Sequence, residues 1–126
     1  MQHIIKKLKF NDGAVVLNAP INIEKELVDL GFRTSFDKKL KSTNTLVFIN
    51  NNEEYLDFLN NQLKNVELDS VLWFAYPKGT SKITTDINRD TIRITGEGFN
   101  ITTVTAISID DTWTALRFRP IHKVGK

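Results

Sequence analysis

The chain contains no cysteine. Disulfides, thiolate metal sites and thiol nucleophiles are therefore excluded. Its two histidines, His3 and His122, lie near the two ends, and no His/Asp/Glu cluster has the spacing of a metal site. No stretch approaches the ~20 apolar residues of a membrane span. The opening MQHIIKKLKF has neither the apolar run nor the small-residue cleavage site of a signal peptide. Charge of one sign is scarce too: 17 Lys and Arg against 15 Asp and Glu leave a net +2, too little to imply a nucleic-acid partner. The motifs GxGxxG after a first strand, GxxxxGK[ST] and GxSxG are all missing. These absences argue against membrane and nucleic-acid partners, leave no catalytic triad, and fit a cytoplasmic protein.

What is present fits one globular domain spanning all 126 residues, with 40% hydrophobic and 25% charged residues. Ala14–Pro20 (AVVLNAP), Thr45–Asn50 (TLVFIN) and Ser70–Tyr76 (SVLWFAY) read as buried strands. Runs apolar on both faces suggest parallel strands covered on both sides. A turn at Asp12-Gly13 precedes the first. Phe32–Phe36 alternates weakly and reads as a short strand. NIEKELVDLG predicts a helix with Asn22 as N-cap and Gly31 as its stop. The residues 52–66 predict the strongest helix, with Tyr55, Leu56, Leu59, Leu63 and Val66 on one face and Glu53 and Glu54 at the positive end of its dipole. A third helix over 87–95, capped by Thr85 or Asp86 and ended by Gly96 and Gly98, is opposed by the β-branched Thr91, Ile92 and Ile94. Ile101–Ile109 and Thr112–Pro120 read as a hairpin turning at Asp110-Asp111. The mildly basic tail HKVGK reads as frayed.

The pattern β-α-β-β-α-β-α-β-β predicts an α/β fold, a Rossmann-like three-layer αβα sandwich. Its sheet is mostly parallel, with a C-terminal antiparallel hairpin at one edge. Ligands of such sheets bind beyond the carboxyl ends of the strands. The expected surface comprises Asn18, Asn50, Lys78, Thr80, Ser81, Lys82, Asp86, Asn88 and Arg89, with Asp110 and Trp113 from the hairpin. Lys78 and Lys82 in the loop PKGTSKITTD favour a small anionic ligand. The alternative is a surface turn, with Arg89 paired to Asp86, Asp90 or Asp110. Arg117 and Arg119 share a strand face that alternation alone does not assign to ligand or solvent.

WFAYPKGTSKITTDINRD followed by AISIDDTWTALRFRP resembles a bacterial family of small uncharacterised proteins marked by AYPK, TDxNRD and DDTWxALRFR segments. The resemblance covers Val71–Pro120 and carries no catalytic residues. The order of elements with its closing hairpin is also similar to the later half of class I S-adenosylmethionine-dependent methyltransferases. That resemblance implies a cofactor held by a glycine-rich turn after the first strand and by an acid after the second. Here the turn reads NAPINIE, without glycine, and Asp37 stands nearest to the acid. Three functions follow as expectations: a non-catalytic module binding a small anionic ligand or a protein partner, a reduced methyltransferase-like enzyme, or an assembly protein whose terminal hairpin pairs with a second copy and buries Trp113. No cofactor is named by the residues themselves.

Overall fold

Trp73 and Phe74 are neighbours in one strand, and both are buried. Successive side chains on a strand point to opposite faces, so this pair demands cover on both sides of the sheet. The computed structural model, which describes residues 1–11 and 13–124, provides it. Its elements are α1 (Gln2–Leu8), β1 (Val15–Leu17), α2 (Ile21–Asp29), β2 (Ser42–Phe48), α3 (Asn52–Asn61), β3 (Val66–Pro77), α4 (Arg89–Glu97), β4 (Ile101–Ser108) and β5 (Trp113–Pro120).

The five strands form one sheet in the order β1-β2-β3-β5-β4. β1, β2 and β3 run parallel, while β5 is antiparallel to both β3 and β4. One face packs Val16, Leu46, Phe48, Trp73, Ala75 and Ala115 with Ile4 and Leu8 of α1 and Ile23 and Leu27 of α2. The other packs Val47, Leu72, Phe74, Leu116 and Phe118 with Tyr55, Phe58 and Leu59 of α3 and Ile92 of α4. The α/β three-layer expectation is met. Phe74 is the centre of the second face: Tyr55, Phe58 and Phe118 each meet its ring edge-on, at centroid distances of 5.1, 5.3 and 5.2 Å. Such contacts add roughly 0.5–1.5 kcal/mol each beyond burial.

Several local expectations are corrected. The N-terminal decapeptide contains α1, built on Ile4 and Leu8 one turn apart and fastened by Trp73 Nε1 donating to Leu8 O at 2.8 Å. The hairpin, by contrast, lies at one edge of the sheet as expected, with β5 paired to β3 and β4 outermost. Phe32–Phe36 shrinks to a single bridge at Arg33, whose N–H and C=O bond Ala14 O and Val16 N along the outside of β1. Pro20, not Asn22, caps α2, and Gly31 follows it at φ +98°, the left-handed turn expected of a helix stop. Phe58, unassigned in the sequence pattern, is buried on α3, and the helix ends at Asn61 ahead of a single 3-10 turn at Leu63–Asn65. α4 starts after Asn88 rather than Thr85 or Asp86. Asn88 and Thr91 form a capping box that outweighs the β-branched residues. The tail begins with a 3-10 turn at Ile121–Lys123. Asp12 of the Asp12-Gly13 turn, and Gly125 and Lys126 of the tail, lie outside the described residues.

Gly96 lies within α4, where Tyr55, Phe118 and β4 converge. A Cβ there would stand 2.7 Å from Phe118 Cε2 and 2.9 Å from the Tyr55 hydroxyl. A glycine in a helix interior ordinarily gains ~0.5–1 kcal/mol on replacement by alanine. Gly96→Ala is expected to reverse that sign and lose about 1–3 kcal/mol through overpacking. Gly98→Ala, which meets only Thr95 O at 3.3 Å, serves as the control. Urea midpoints of the two variants at constant slope check the contrast. Equal midpoints would remove the tight α3–α4 contact from the account.

Candidate functional site

Because β1, β2 and β3 are parallel, their carboxyl ends reach one rim, and the connections to α2, α3 and α4 all leave from it. Glu54, in the first turn of α3, organises this rim. Its Oε1 accepts from Asn18 Nδ2 at 2.7 Å, Asn50 N at 2.9 Å and Asn50 Nδ2 at 3.0 Å. Asn18 Nδ2 also donates to Phe48 O at 2.9 Å. Asn18 has φ +62°, a conformation that asparagine tolerates better than most residues. The positive φ turns the chain out of β1 while the amide stays directed at β2 and α3. Oε2 of Glu54 has no donor among the described residues.

Next to this knot lies a cleft of about 480 Å³, within the size range of small-molecule pockets. Leu17 and Asn18 form its β1 side, Val47, Phe48 and Ile49 its β2 side, and Glu54, Asp57, Phe58 and Gln62 its α3 side. Thr34, Ser35 and Phe36 close it from outside, with the Phe36 and Phe58 rings 6.4 Å apart. Its walls carry two carboxylates, amides and hydroxyls over an apolar floor, and no lysine or arginine. Asp37, the acid suggested by the methyltransferase resemblance, is not a wall. Its Oδ1 accepts from the backbone N–H groups of Lys39 and Leu40, which hold its carboxyl below the usual range.

The structure divides the expected site residues into groups. Asn18 and Asn50 meet at Glu54. Thr85 and Asp86 fasten the loop to the start of α3: Thr85 Oγ1 donates to Asn50 O at 2.6 Å, and Asp86 Oδ1 accepts from Asn52 N at 2.8 Å. Asn88 is spent on capping α4. Arg89 forms none of the three expected ion pairs among the described residues; its charge lies near Tyr76, whose hydroxyl burial pushes upward in pKa. Lys78 turns away from the cleft toward the hairpin, with Nζ 2.6 Å from Ser108 Oγ and its N–H on Thr112 O. Thr80 and Lys82 are exposed and Ser81 is half-buried, and none of the three lines the cleft. Asp110 Oδ1 accepts from Thr112 N and Trp113 N, as a turn residue does. Trp113 is buried edge-on against Phe48 at 5.0 Å, so no second copy is needed to cover it.

Glu54, Asp57, Ser35 and Phe36 were not singled out as site residues by the sequence pattern. Glu54 was legible only as a helix-dipole residue. The one usable signal is Glu54 and Asp57 three apart on one helix face just after a strand end.

No family model and no curated protein sequence matches the chain. In fold it is similar to the crystal structure of "a putative type 11 methyltransferase from Sulfolobus solfataricus", with a TM-score of 0.50 and 11% identity, over 99% of this chain and 80% of that one. The likeness is one of architecture: a mixed α/β, methyltransferase-like Rossmann-type sheet. Among the described residues no helix is long and apolar enough to cross a membrane.

Removing the hub should be felt at all three of its donors. Glu54→Ala is expected to lower stability by about 1–3 kcal/mol, the range for orphaning partners of a charged acceptor. Glu54→Gln keeps one acceptor oxygen and should lose less. Chemical denaturation ranks the two. The Asn18 side-chain amide resonances should move in both and move further in Glu54→Ala.

Proposed function

We propose that this chain is a single, cytoplasmic, methyltransferase-like domain that binds a small molecule in the cleft at the carboxyl ends of β1 and β2, without catalysing a reaction on it. The observation that carries the proposal is the cleft itself. It lies where open α/β sheets take ligands, and its polar groups are held in place by the Glu54 knot.

The wall chemistry modifies the expected ligand. Two carboxylates and no cation favour a neutral or cationic molecule rich in hydroxyl or amine donors. Phe36 and Phe58 suit a flat or apolar portion beside them. A nucleoside-sized ligand matches both. An anionic ligand remains the reading for the Lys78–Lys82 loop, where cations stand at a different part of the same rim. The resemblance of Val71–Pro120 to a bacterial family adds no residue role to either reading.

The second reading, a reduced S-adenosylmethionine-dependent enzyme, is supported by the fold likeness over 99% of the chain. The turn Asn18–Glu24 has no glycine to let a ligand's charged end approach the backbone closely. In this reading Glu54 and Asp57 would take the place of the missing contacts, meeting the ammonium or the ribose hydroxyls.

A thermal-shift panel separates these readings, because a ligand that binds only the folded state raises the midpoint. Adenosine, S-adenosylmethionine or S-adenosylhomocysteine is expected to raise it. Ser35→Trp, at an exposed wall position, should abolish the rise, and Asp57→Asn should weaken it. A rise with phosphate or sugar phosphates alone, lost in Lys78→Ala, would move the site to the loop. Methyl transfer from S-adenosylmethionine to any acceptor would establish the enzyme reading instead.

A further inference from the structure

A second concavity, of about 470 Å³, lies on the α1 side of the sheet, away from α3 and its cleft. Lys6, Lys7, Lys9 and Arg117 stand around it, with Thr105 on β4, and no carboxylate is among its walls. Lys6 and Lys7 occupy the last turn of α1, where cations offset the helix dipole. That role does not account for the other two. Lys9 lies past the helix at φ +61°, a conformation in which a lysine carries backbone strain. Arg117 sits on β5 directly between Trp73 of β3 and Thr105 of β4.

Arg117 is the unusual member. The preceding residues on its face, Trp113 and Ala115, are buried in the core beneath the helices. The following one, Arg119, is satisfied by Asp69 through Nε at 2.9 Å and Nη2 at 3.1 Å. Arg117 has no such partner. Its Nε is buried and makes no hydrogen bond, and its guanidinium forms no ion pair among the described residues. Asp69 acts on it only through space, being itself bonded to Arg119. A buried donor left unpaired is costly, and the half-buried side chain that carries it borders the concavity. A planar guanidinium that lines one concavity with three lysines matches an oxyanion of more than one charge.

We propose that Arg117, with Lys6, Lys7 and Lys9, forms a binding site for the phosphate group of a small ligand, on the sheet face opposite the strand-end cleft. Arg117 supplies the directional contact at the floor, and the lysines supply charge from the α1 side. A phosphate dianion suits four cations better than a single carboxylate does. Single-stranded nucleic acid fits less well, because Trp73, the aromatic residue lining the concavity, is only 1% exposed and offers no stacking face. The site stands independently of the cleft, so either can fail without the other.

The test is titration of the full chain with pyrophosphate at constant ionic strength, followed by NMR. Saturable shifts are expected at the Arg117 Nε–H and at the Lys6, Lys7 and Lys9 amides, with the Asn18 and Asn50 amides unmoved. Arg117→Gln should weaken binding about tenfold or more, as loss of a charge-assisted contact does. Lys6→Gln/Lys9→Gln, at exposed positions that leave the fold intact, should weaken it comparably. A response that never saturates, that sodium chloride reproduces, or that the lysine double variant leaves unchanged would overturn the proposal. Tighter binding of a short single-stranded oligonucleotide or of anionic vesicles through these residues would overturn its small-ligand part.

Discussion

The structure depends on β3 being buried on both faces along Leu72–Ala75. A strand with water on one side can satisfy itself with one layer of helices. This one presents Trp73 and Ala75 to α1 and α2 and Leu72 and Phe74 to α3 and α4. Full burial of each large side chain contributes roughly 1.5–3 kcal/mol, so neither layer can be dispensed with. Two layers around a parallel core then require crossovers, and crossovers return every strand start to the same end of the sheet. The shared rim where β1, β2 and β3 finish is thus a consequence of where the bulky residues lie in β3.

The placement of β5 beside β3 follows from the same demand. β3 has an edge on the side away from β2, and a bare edge exposes a row of unpaired backbone groups. β5 covers it over Leu72–Pro77. It also brings Ala115 under one layer and Leu116 and Phe118 under the other. Trp113, at the start of β5, then falls against Phe48 at the rim. β4 is left as the outer strand, with a bulge at Thr103–Thr105 that interrupts its regular edge. The hairpin is therefore part of the core.

The buried strands and the three-layer class were legible because apolar runs over Val15–Leu17, Leu46–Ile49 and Leu72–Ala75 leave little choice. α4 was legible only in part. Its β-branched residues argue against a helix, and what decides for one is a cap three residues from its partner, Asn88 with Thr91. α1 was not legible as structure, since two buried apolar residues among lysines give too short a pattern without knowing that Trp73 needs a lid. At the rim, the sequence pointed to the loop with the lysines. Charged loops stand out in a sequence, whereas a cleft is built from gaps between elements. Residues such as Ser35 and Asp57 belong to it by position alone.

That cleft has an identifiable cause. β1 pairs over only three residues, about 10 Å of strand. On its α2 side Val16 is covered, but α3 is drawn over β2 and β3 by Tyr55, Phe58 and Leu59. Leu17, at the end of β1, is only partly buried against that cluster and lines the cleft. The segment Thr34–Phe36 bends around the outside and brings Phe36 toward Phe58 without filling the space between β1 and α3. Glu54 then has to hold β1 to α3 across that space, and Asn18 must adopt a left-handed turn to reach it. The polar knot and the open cleft share one geometric setting: α3 packs over β2 and β3, and Glu54 links the end of β1, itself paired to β2, to that helix across the gap.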